Sequence, residues 1–230
     1  MLIDWPPALP DEKLAALSAI SIDWALAHGL CVTAPKQMPP NTTHAPFALY
    51  PSPFPKSCYD KAQKLQPIYN SLVHSVSQNH KFLKGVIETL SDPFTSRLYN
   101  IYKQTVELPI QQPITLGIHR SDYLLDGANE IKQVELNTIA SSFSCLSSIT
   151  AKLHSFLSDR TDFYNSHSPG SLDINSKMFP ENVSGTAIPG ALAKAFELYG
   201  VNDAVVLMVI QSGERNIFDQ RHVEFALFEM

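Results

Sequence analysis

Alternating polar residues on one predicted strand, residues 131–137, could bind a hard cation. Successive side chains of a strand point to opposite faces. Val134 and Leu136 therefore form an apolar face that is expected to be buried. Gln133, Glu135 and Asn137 form the polar face. Side chains two positions apart lie about 7 Å apart. The Glu135 carboxylate and the Asn137 amide oxygen could therefore bind one Mg²⁺, which takes one or two such oxygens and keeps its water and phosphate ligands. A solvated sheet face explains the same pattern, so both interpretations stay open.

A serine-rich turn follows this strand directly and precedes a helix predicted to begin near Phe143. The turn consists of Ile139, Ala140, Ser141 and Ser142. Unpaired N–H groups at a helix N-terminus, together with hydroxyls, can bind an anion. The alternative is that Ser142 only caps the helix. A cation site and an anion site this close along the chain indicate that a metal-bound phosphate and a carboxylate substrate are handled together.

Two further polar groups follow predicted strands. Arg120 comes directly after strand 114–119 and could bind a substrate carboxylate through two parallel hydrogen bonds, or it could pair with Asp122. The apolar segment 204–210 is typical of a strand buried in a parallel sheet, and open α/β sheets bind ligands beyond the carboxyl ends of their strands. An acceptor and several donors for a zwitterionic ligand follow it: Glu214, Arg215, Asn216 and Gln220. An ordinary polar loop is the alternative here.

Helices and strands that must position these residues follow from hydrophobic periodicity. Helices are predicted at 11–28, at 57–80 and from Asp92 onward, and further helices begin near Phe143, Ala187 and Phe218. The last helix, 218–230, has no glycine or proline stop signal, and we expect it to be unfinished. The fold class is α/β, with α+β character in the N-terminal half. Three regions are expected: a helical region 1–108, a region 109–185 with the strand hairpin, the metal and substrate site and a polar loop 160–185, and the start of an α/β substrate-binding domain, 186–230.

Composition excludes several classes of protein. Of the 230 residues 44% are hydrophobic and 17% charged, which is typical of a globular chain rather than a disordered one. A net charge of −5 without a basic cluster predicts no nucleic-acid partner. No apolar stretch approaches the roughly 20 residues of a membrane span, and the polar and proline-containing start leads us to expect no secretory signal. Three widely spaced cysteines indicate neither a disulfide framework nor a zinc site. We expect a cytoplasmic protein.

Five stretches of the sequence resemble the eukaryotic glutathione synthetase family, whose members are ATP-dependent ligases that join γ-glutamylcysteine to glycine. They occur in the family's order: Ala45–Ser52, Gly117–Tyr123, Lys132–Ile139, Ala195–Gly200 and Glu214–Arg221. The resemblance implies an ATP-grasp-type fold of which this chain contains only a part, and a homodimer. It also implies ATP as a substrate, Mg²⁺ as cofactor, and an acyl phosphate of γ-glutamylcysteine that the glycine amine attacks.

The resemblance also implies roles for the polar residues. Glu135 and Asn137 match the family's magnesium ligands, and Glu135 also lies beside ATP. Arg120 matches a residue that would orient a carboxylate or offset charge during the reaction. Matches to substrate-binding positions are Arg120, Ile139, Ala140, Ser141, Ser142, Glu214, Arg215, Asn216 and Gln220.

The chain departs from the family pattern in its length. The family's glycine-rich loop over the phosphates, its ATP-binding lysines and a further magnesium ligand have no counterpart in these 230 residues. Two hypotheses follow. In the first, the chain is part of a glutathione synthetase that needs the remaining half for activity. In the second, it is a non-catalytic fragment or isoform that keeps only dimerisation or partial substrate binding.

Overall fold

A computed structural model of the chain describes residues 5–34, 41–110, 112–162, 164 and 174–230. Much of the predicted polar loop 160–185 lies outside these residues. The helices are α1 (Asp11–Ala27), α2 (Lys56–Ser77), α3 (His80–Ile87), α4 (Pro93–Val106), α5 (Ser144–Arg160), α6 (Ser184–Tyr199) and α7 (Ile217–Glu229), with a 3₁₀ turn at Ser176–Met178. The strands are β1 (Cys31–Thr33), β2 (Thr42–His44), β3 (Arg120–Leu125) and β4 (Ile131–Asn137).

The chain forms two compact units. The first comprises the described residues of Met1–Pro53, Ser142–Glu197 and Val201–Met230, and the second those of Phe54–Ser141 and Leu198–Gly200. Each unit contains one of the antiparallel two-stranded sheets that the described residues form, β1–β2 in the first and β3–β4 in the second. The mixed α+β composition predicted for the N-terminal half is therefore confirmed.

The core of the first unit is built around α5, which contacts α1, α7 and the 3₁₀ turn. Leu146, Leu153 and Leu157 recur at spacings of seven and four, which places them on one face of the helix, and all three are buried. Leu17 and Ala25 of α1 share the same core. Ser21 lies between them along α1, and its hydroxyl donates to the Leu17 carbonyl at 2.6 Å, so this polar group is buried with a partner.

Helix α1 ends as its sequence predicts, because Gly29 adopts φ +73° just beyond it. A Cβ there would also lie 2.9 Å from the imidazole ring of His222, so that ring would have to move to admit any other residue. The same ring makes a 3.1 Å hydrogen bond with the Gly29 carbonyl. Asp11 is the first residue of α1 rather than its cap, because the N-cap position is occupied by Pro10.

His154 lies on α5 beside Tyr164 and makes a 2.9 Å hydrogen bond through Nε2 to the Ala48 carbonyl. Burial lowers the pKa of this imidazole below its ordinary value. The folded state therefore takes up a proton at His154 only at a lower pH than the unfolded chain does. As the pH falls below about 6.5, the unfolded chain takes up this proton first.

We expect the first unit to lose stability as the pH falls from the ordinary histidine pKa toward the lowered folded value of His154. Thermal unfolding can be followed by the fluorescence of Trp5 and Trp24, both of which pack against this core. His154→Gln should flatten the pH dependence of Tm, whereas His74→Gln, at an exposed position on α2, should leave it unchanged. An identical slope in the wild type and His154→Gln would contradict this assignment.

The second unit contains α2, α3, α4 and the β3–β4 hairpin. Asp92 caps α4: its carboxylate accepts a hydrogen bond from the Thr95 amide at 2.6 Å, and Pro93 is the first helical residue. The N–H groups of Ala128 and Glu130 donate to Asp126 Oδ1 in the turn between β3 and β4. These two hydrogen bonds close the turn of the hairpin.

Two details of the hairpin differ from the sequence prediction. The first strand is Arg120–Leu125 rather than 114–119, so Arg120 begins a strand instead of following one. Asp122 pairs with Glu135 and Tyr123 with Gln133, which leaves Val134 as the extra residue of a β-bulge. The bulge moves Gln133 out of phase with Glu135. It also explains why Val134 is 55% exposed instead of buried.

The apolar segment 204–210 does not form the predicted buried strand. It makes no ladder with any other described strand, and Val205, Leu207 and Val209 are each more than 80% exposed. A buried parallel strand needs neighbours on both edges and cover on both faces, and the described residues supply neither. A parallel sheet is therefore not found in this part of the chain.

None of the helices within the described ranges has the length and hydropathy needed to span a membrane.

Candidate active-site residues

The β3–β4 hairpin brings four polar side chains onto one face. Arg120 pairs with Asn137 and Asp122 with Glu135 across the antiparallel ladder, so the two pairs are adjacent. Directly opposed residues point to the same side of a sheet, as do residues two positions apart on a strand. The predicted grouping of Glu135 with Asn137 is observed, and Arg120 and Asp122 lie beside them.

Arg120 and Asp122 form a two-point ion pair. Arg120 Nε lies 2.8 Å from Asp122 Oδ1, and Nη2 lies 3.2 Å from Oδ2. The Arg120 guanidinium holds the pKa of Asp122 below its ordinary value, and Asp122 raises the pKa of Arg120 in return. Both groups stay ionised at neutral pH. The pairing foreseen as the alternative for Arg120 is therefore present, and it fixes the plane of the guanidinium.

Glu135 and Asn137 are in direct contact. Asn137 Nδ2 donates to Glu135 Oε1 at 3.0 Å and lies 3.5 Å from the Arg120 carbonyl. Their side chains also help to lower the pKa of Asp122. Two carboxylates and one amide thus meet on this face. Within the described ranges, no three His, Cys, Asp or Glu side chains converge closely enough to hold a metal by themselves.

The turn after β4 differs from an open anion site. Ser141 Oγ donates to the carbonyls of Asn137 and Ile118, at 3.2 and 3.4 Å, and Ala140 has φ +51°. The N-cap of α5 is Phe143, with φ +72°, so Ser142 is not the cap. The exposed Ile139 completes this turn.

The N–H groups at the start of α5 already have an acceptor. Phe143, Cys145 and Leu146 all donate to the Asp219 carboxylate, which belongs to α7 of the same unit. The protein's own side chain thus occupies the position in which an anion was predicted. Nothing in the local sequence around Phe143 signals a partner this distant.

The polar group predicted after segment 204–210 lies in the first unit, at the start of α7. Gly213 turns the chain with φ +76°, and Glu214 Oε1 accepts from the Asn216 amide at 2.7 Å. Arg215 is joined to the edge of β1: its carbonyl accepts from the Thr33 amide at 2.9 Å. Gln220 lies one helical turn beyond Asn216 and is half-buried.

Several buried polar atoms on these segments have no hydrogen-bond partner among the described residues. Asn216 Oδ1 is one of them. A second set consists of His119 Nδ1, Ser121 Oγ and Tyr123 OH. These residues alternate along the chain, so Ser121 and Tyr123 lie on the face of the hairpin opposite to that of Arg120. A buried polar atom without a partner is costly, so each of these marks a position for a ligand, water or another segment.

Sequence reasoning missed two acidic residues as parts of these groups. Asp122 was considered only as an alternative partner of Arg120, although alternation with Arg120 places both on one face. The sequence around Asp219 gives no indication of its role except that an acidic residue lies in the first turn of α7. Its hydrogen-bond partners are more than 70 residues away along the chain.

Comparison with known proteins decides the family. The profile described as "Eukaryotic glutathione synthase, ATP binding domain" matches residues 11–214, and the profile "Eukaryotic glutathione synthase" matches residues 204–230. The chain belongs to the eukaryotic glutathione synthase family. Both the hairpin face and most of the polar loop before α7 lie within the first match.

Curated glutathione synthetases cover nearly the whole of this family member. The protein of Dictyostelium discoideum is 41% identical over 230 residues, which is 95% of this chain and 47% of the relative. That of Rattus norvegicus is 39% identical over 239 residues, covering 100% of this chain and 48% of the relative. This glutathione synthase family chain therefore spans about half the length of the curated relatives that it matches.

A solved structure shares the fold. The glutathione synthetase-like effector GSS30 of Globodera pallida, in its apo form, superposes with a TM-score of 0.78 at 22% identity. It covers 100% of this chain, and this chain covers 50% of it. At this identity the comparison supports the fold of this glutathione synthase family chain and nothing further.

Proposed function

We propose that this chain supplies part of the substrate and metal site of a glutathione synthetase, which ligates γ-glutamylcysteine to glycine at the expense of ATP. The observation that carries the proposal is the hairpin face formed by Arg120, Asp122, Glu135 and Asn137. It lies within the region that matches the family's ATP-binding domain.

The hairpin face fits Mg²⁺ by its donor chemistry. Glu135 and Asn137 would hold the ion through a carboxylate oxygen and the side-chain amide oxygen, and the Asp122 carboxylate lies on the same face. Magnesium accepts one or two protein carboxylates and keeps positions for water and substrate phosphates. When bound, it would neutralise charge on the transferring phosphoryl group. ATP would be a substrate beside Glu135.

The reaction proposed has two steps. An oxygen of the C-terminal carboxylate of γ-glutamylcysteine attacks the γ-phosphorus of ATP, and the bond to ADP breaks, which gives an acyl phosphate. The glycine amine then attacks the acyl carbon, the carbon–oxygen bond to phosphate breaks, and the amine loses a proton. Arg120 would orient the carboxylate and offset developing negative charge, since its own charge persists at every physiological pH. No protein nucleophile is required.

The loop before α7 is proposed as a substrate-binding segment of the first unit. Glu214 is an acceptor for an ammonium group, and Arg215 and Gln220 are donors for a carboxylate. Asn216 Oδ1 is buried without a partner among the described residues, so it is an acceptor that a substrate N–H could satisfy. The turn from Ile139 to Ser142 is proposed as a further substrate-binding segment. A cytoplasmic location and a homodimeric assembly are proposed on the family resemblance alone.

A second candidate is substrate binding without turnover. It is favoured by the two-point ion pair of Arg120 with Asp122, in which a carboxylate of the chain itself already holds the guanidinium.

The two candidates make different predictions for the 230-residue chain. Under either candidate function, calorimetry should detect binding of γ-glutamylcysteine or of Mg-ATP to the chain, because the chain is proposed to contain part of the binding site for each. Coupled ATP turnover with γ-glutamylcysteine and glycine should then be measured on this chain and on the longest polypeptide that its coding sequence encodes. Turnover by that polypeptide supports the synthetase, and binding without turnover in both supports the second candidate. Failure of both proteins to bind either ligand contradicts both candidates.

A further inference from the structure

Asp219 is a buried carboxylate at the N-terminus of a helix to which it does not belong. Its Oδ2 accepts from the Phe143 amide at 2.6 Å, and its Oδ1 accepts from the Cys145 and Leu146 amides at 2.9 and 3.1 Å. Only 6% of Asp219 is exposed. Both oxygens are thus engaged with the first turn of α5.

Helix α5 needs this external acceptor. Its N-cap residue, Phe143, is in the left-handed region at φ +72° and provides no side-chain cap. The first N–H groups of a helix have no partner within it, and here the amides of Cys145 and Leu146 are buried. A carboxylate satisfies several of them at once through charge-assisted hydrogen bonds, and it also suits the positive end of the helix dipole.

The two segments joined by Asp219 are the segments of the first unit that carry proposed substrate-binding residues. Ser142 immediately precedes Phe143 on the α5 side. On the α7 side, Asn216 lies three residues before Asp219 and Gln220 follows it. The start of α7 is itself attached to β1 by the backbone hydrogen bond between Thr33 and Arg215. A shift of the Asp219 side chain would therefore move one substrate-binding segment relative to the other.

We propose that Asp219 is a positioning residue for substrate binding: its carboxylate sets the position of Ser142 relative to Asn216 and Gln220 by accepting three hydrogen bonds from the start of α5. This inference rests on the proposed function. It concerns geometry only, since Asp219 is buried and bonded on both oxygens and does not itself contact the substrate.

Asparagine is the informative replacement because it keeps the size of aspartate and removes one acceptor. In Asp219→Asn the amide nitrogen must face an N–H group of either Phe143 or Cys145, and two donors then oppose each other. The start of α5 shifts, while the core residues Leu153 and Leu157 keep their packing. Asp219→Ala removes all three hydrogen bonds and tests the larger change, which could extend to folding.

The experiment compares the wild type, Asp219→Asn and Glu224→Gln. Glu224 is an exposed carboxylate on the same helix that pairs with Arg221, so it is a matched control. We expect Asp219→Asn to lower kcat/KM for γ-glutamylcysteine by about 100-fold, chiefly through KM, because a misplacement of about 1 Å is costly. The KM for ATP should change by less than about threefold. Turnover is measured on the longest polypeptide that the coding sequence encodes.

Two further measurements do not depend on turnover. Hydrogen exchange at the amides of Phe143, Cys145 and Leu146 should be faster in Asp219→Asn than in Glu224→Gln, while both variants remain folded at the assay temperature. Binding of γ-glutamylcysteine by calorimetry should weaken only in Asp219→Asn. A purely structural role would instead weaken the binding of γ-glutamylcysteine and ATP alike, so that both KM values rise together.

The possible results are distinguishable. A wild type that binds γ-glutamylcysteine while Asp219→Asn binds it equally well overturns this inference and leaves the proposed function in place. Unfolding of Asp219→Asn assigns Asp219 to stability and also overturns the positioning role. A wild type that does not bind γ-glutamylcysteine contradicts the proposed function, and this inference falls with it.

Discussion

Glu135→Ala is expected to lower ATP-dependent turnover by about 1000-fold without unfolding the protein. Glu135 presents a carboxylate on an exposed hairpin face and is proposed to bind both Mg²⁺ and ATP. Removing it leaves a single proposed magnesium ligand, Asn137, which cannot supply negative charge. Turnover is measured by coupled ATP consumption with γ-glutamylcysteine and glycine.

Glu130→Ala is the matched control for this variant. Glu130 lies in the turn of the same hairpin and is paired with Lys132, away from Asn137 and Arg120. It should retain full turnover. Calorimetric titration with Mg²⁺ gives a readout that needs no activity, and Glu135→Ala alone should bind more weakly. Loss of the folded state in Glu135→Ala would instead show that the side chain is structural.

Leu153→Ala is expected to destabilise the first unit by about 2–5 kcal/mol. Leu153 is 0% exposed and packs in the core with Leu17, Leu157 and Tyr164. Its truncation removes apolar burial and leaves a cavity that the surrounding helices can close only in part. The loss is a large part of the total stability of an ordinary domain.

Urea unfolding followed by tryptophan fluorescence measures this effect selectively. Both tryptophans of the chain, Trp5 and Trp24, pack against this core, so the signal reports the first unit. Leu26→Ala on α1 is the control, because Leu26 is 46% exposed and should change the midpoint little. Equal shifts of the midpoint in the two variants would be inconsistent with the described core.

Most of the helices could be predicted from the sequence because their signals are local, although α3 (His80–Ile87) was not predicted and the helix expected over 57–80 ends at Ser77. Leucine spacing, the Asp92–Pro93 start of α4 and the glycines after α1 and α6 all act within a few residues of where they occur. The bounds of α1 and α4 follow them closely. The conformation of segment 204–210 could not be predicted in this way. Its apolar pattern is typical of a buried strand, but burial depends on residues far away in the sequence.

In the candidate site, too, features set by neighbouring residues could be predicted and features set by distant residues could not. Glu135 and Asn137 were grouped correctly because two residues on one strand share a face whatever the rest of the fold does. The β-bulge at Val134 depends on pairing with β3, so the phase of Gln133 could not be read from its own strand. The contact of Asp219 with α5 depends on tertiary packing across more than 70 residues, and no local rule identifies it.

The hydrogen bonds of α7 also constrain the order in which the protein can fold during synthesis. His222 contacts Gly29 across 193 residues, and Arg215 contacts Thr33 across 182. On the ribosome, α1 and β1 are made long before these partners exist, and the start of α5 also waits for Asp219. The first unit can therefore reach the described packing only after residue 222 has been translated, and until then α5 lacks its contact with α7.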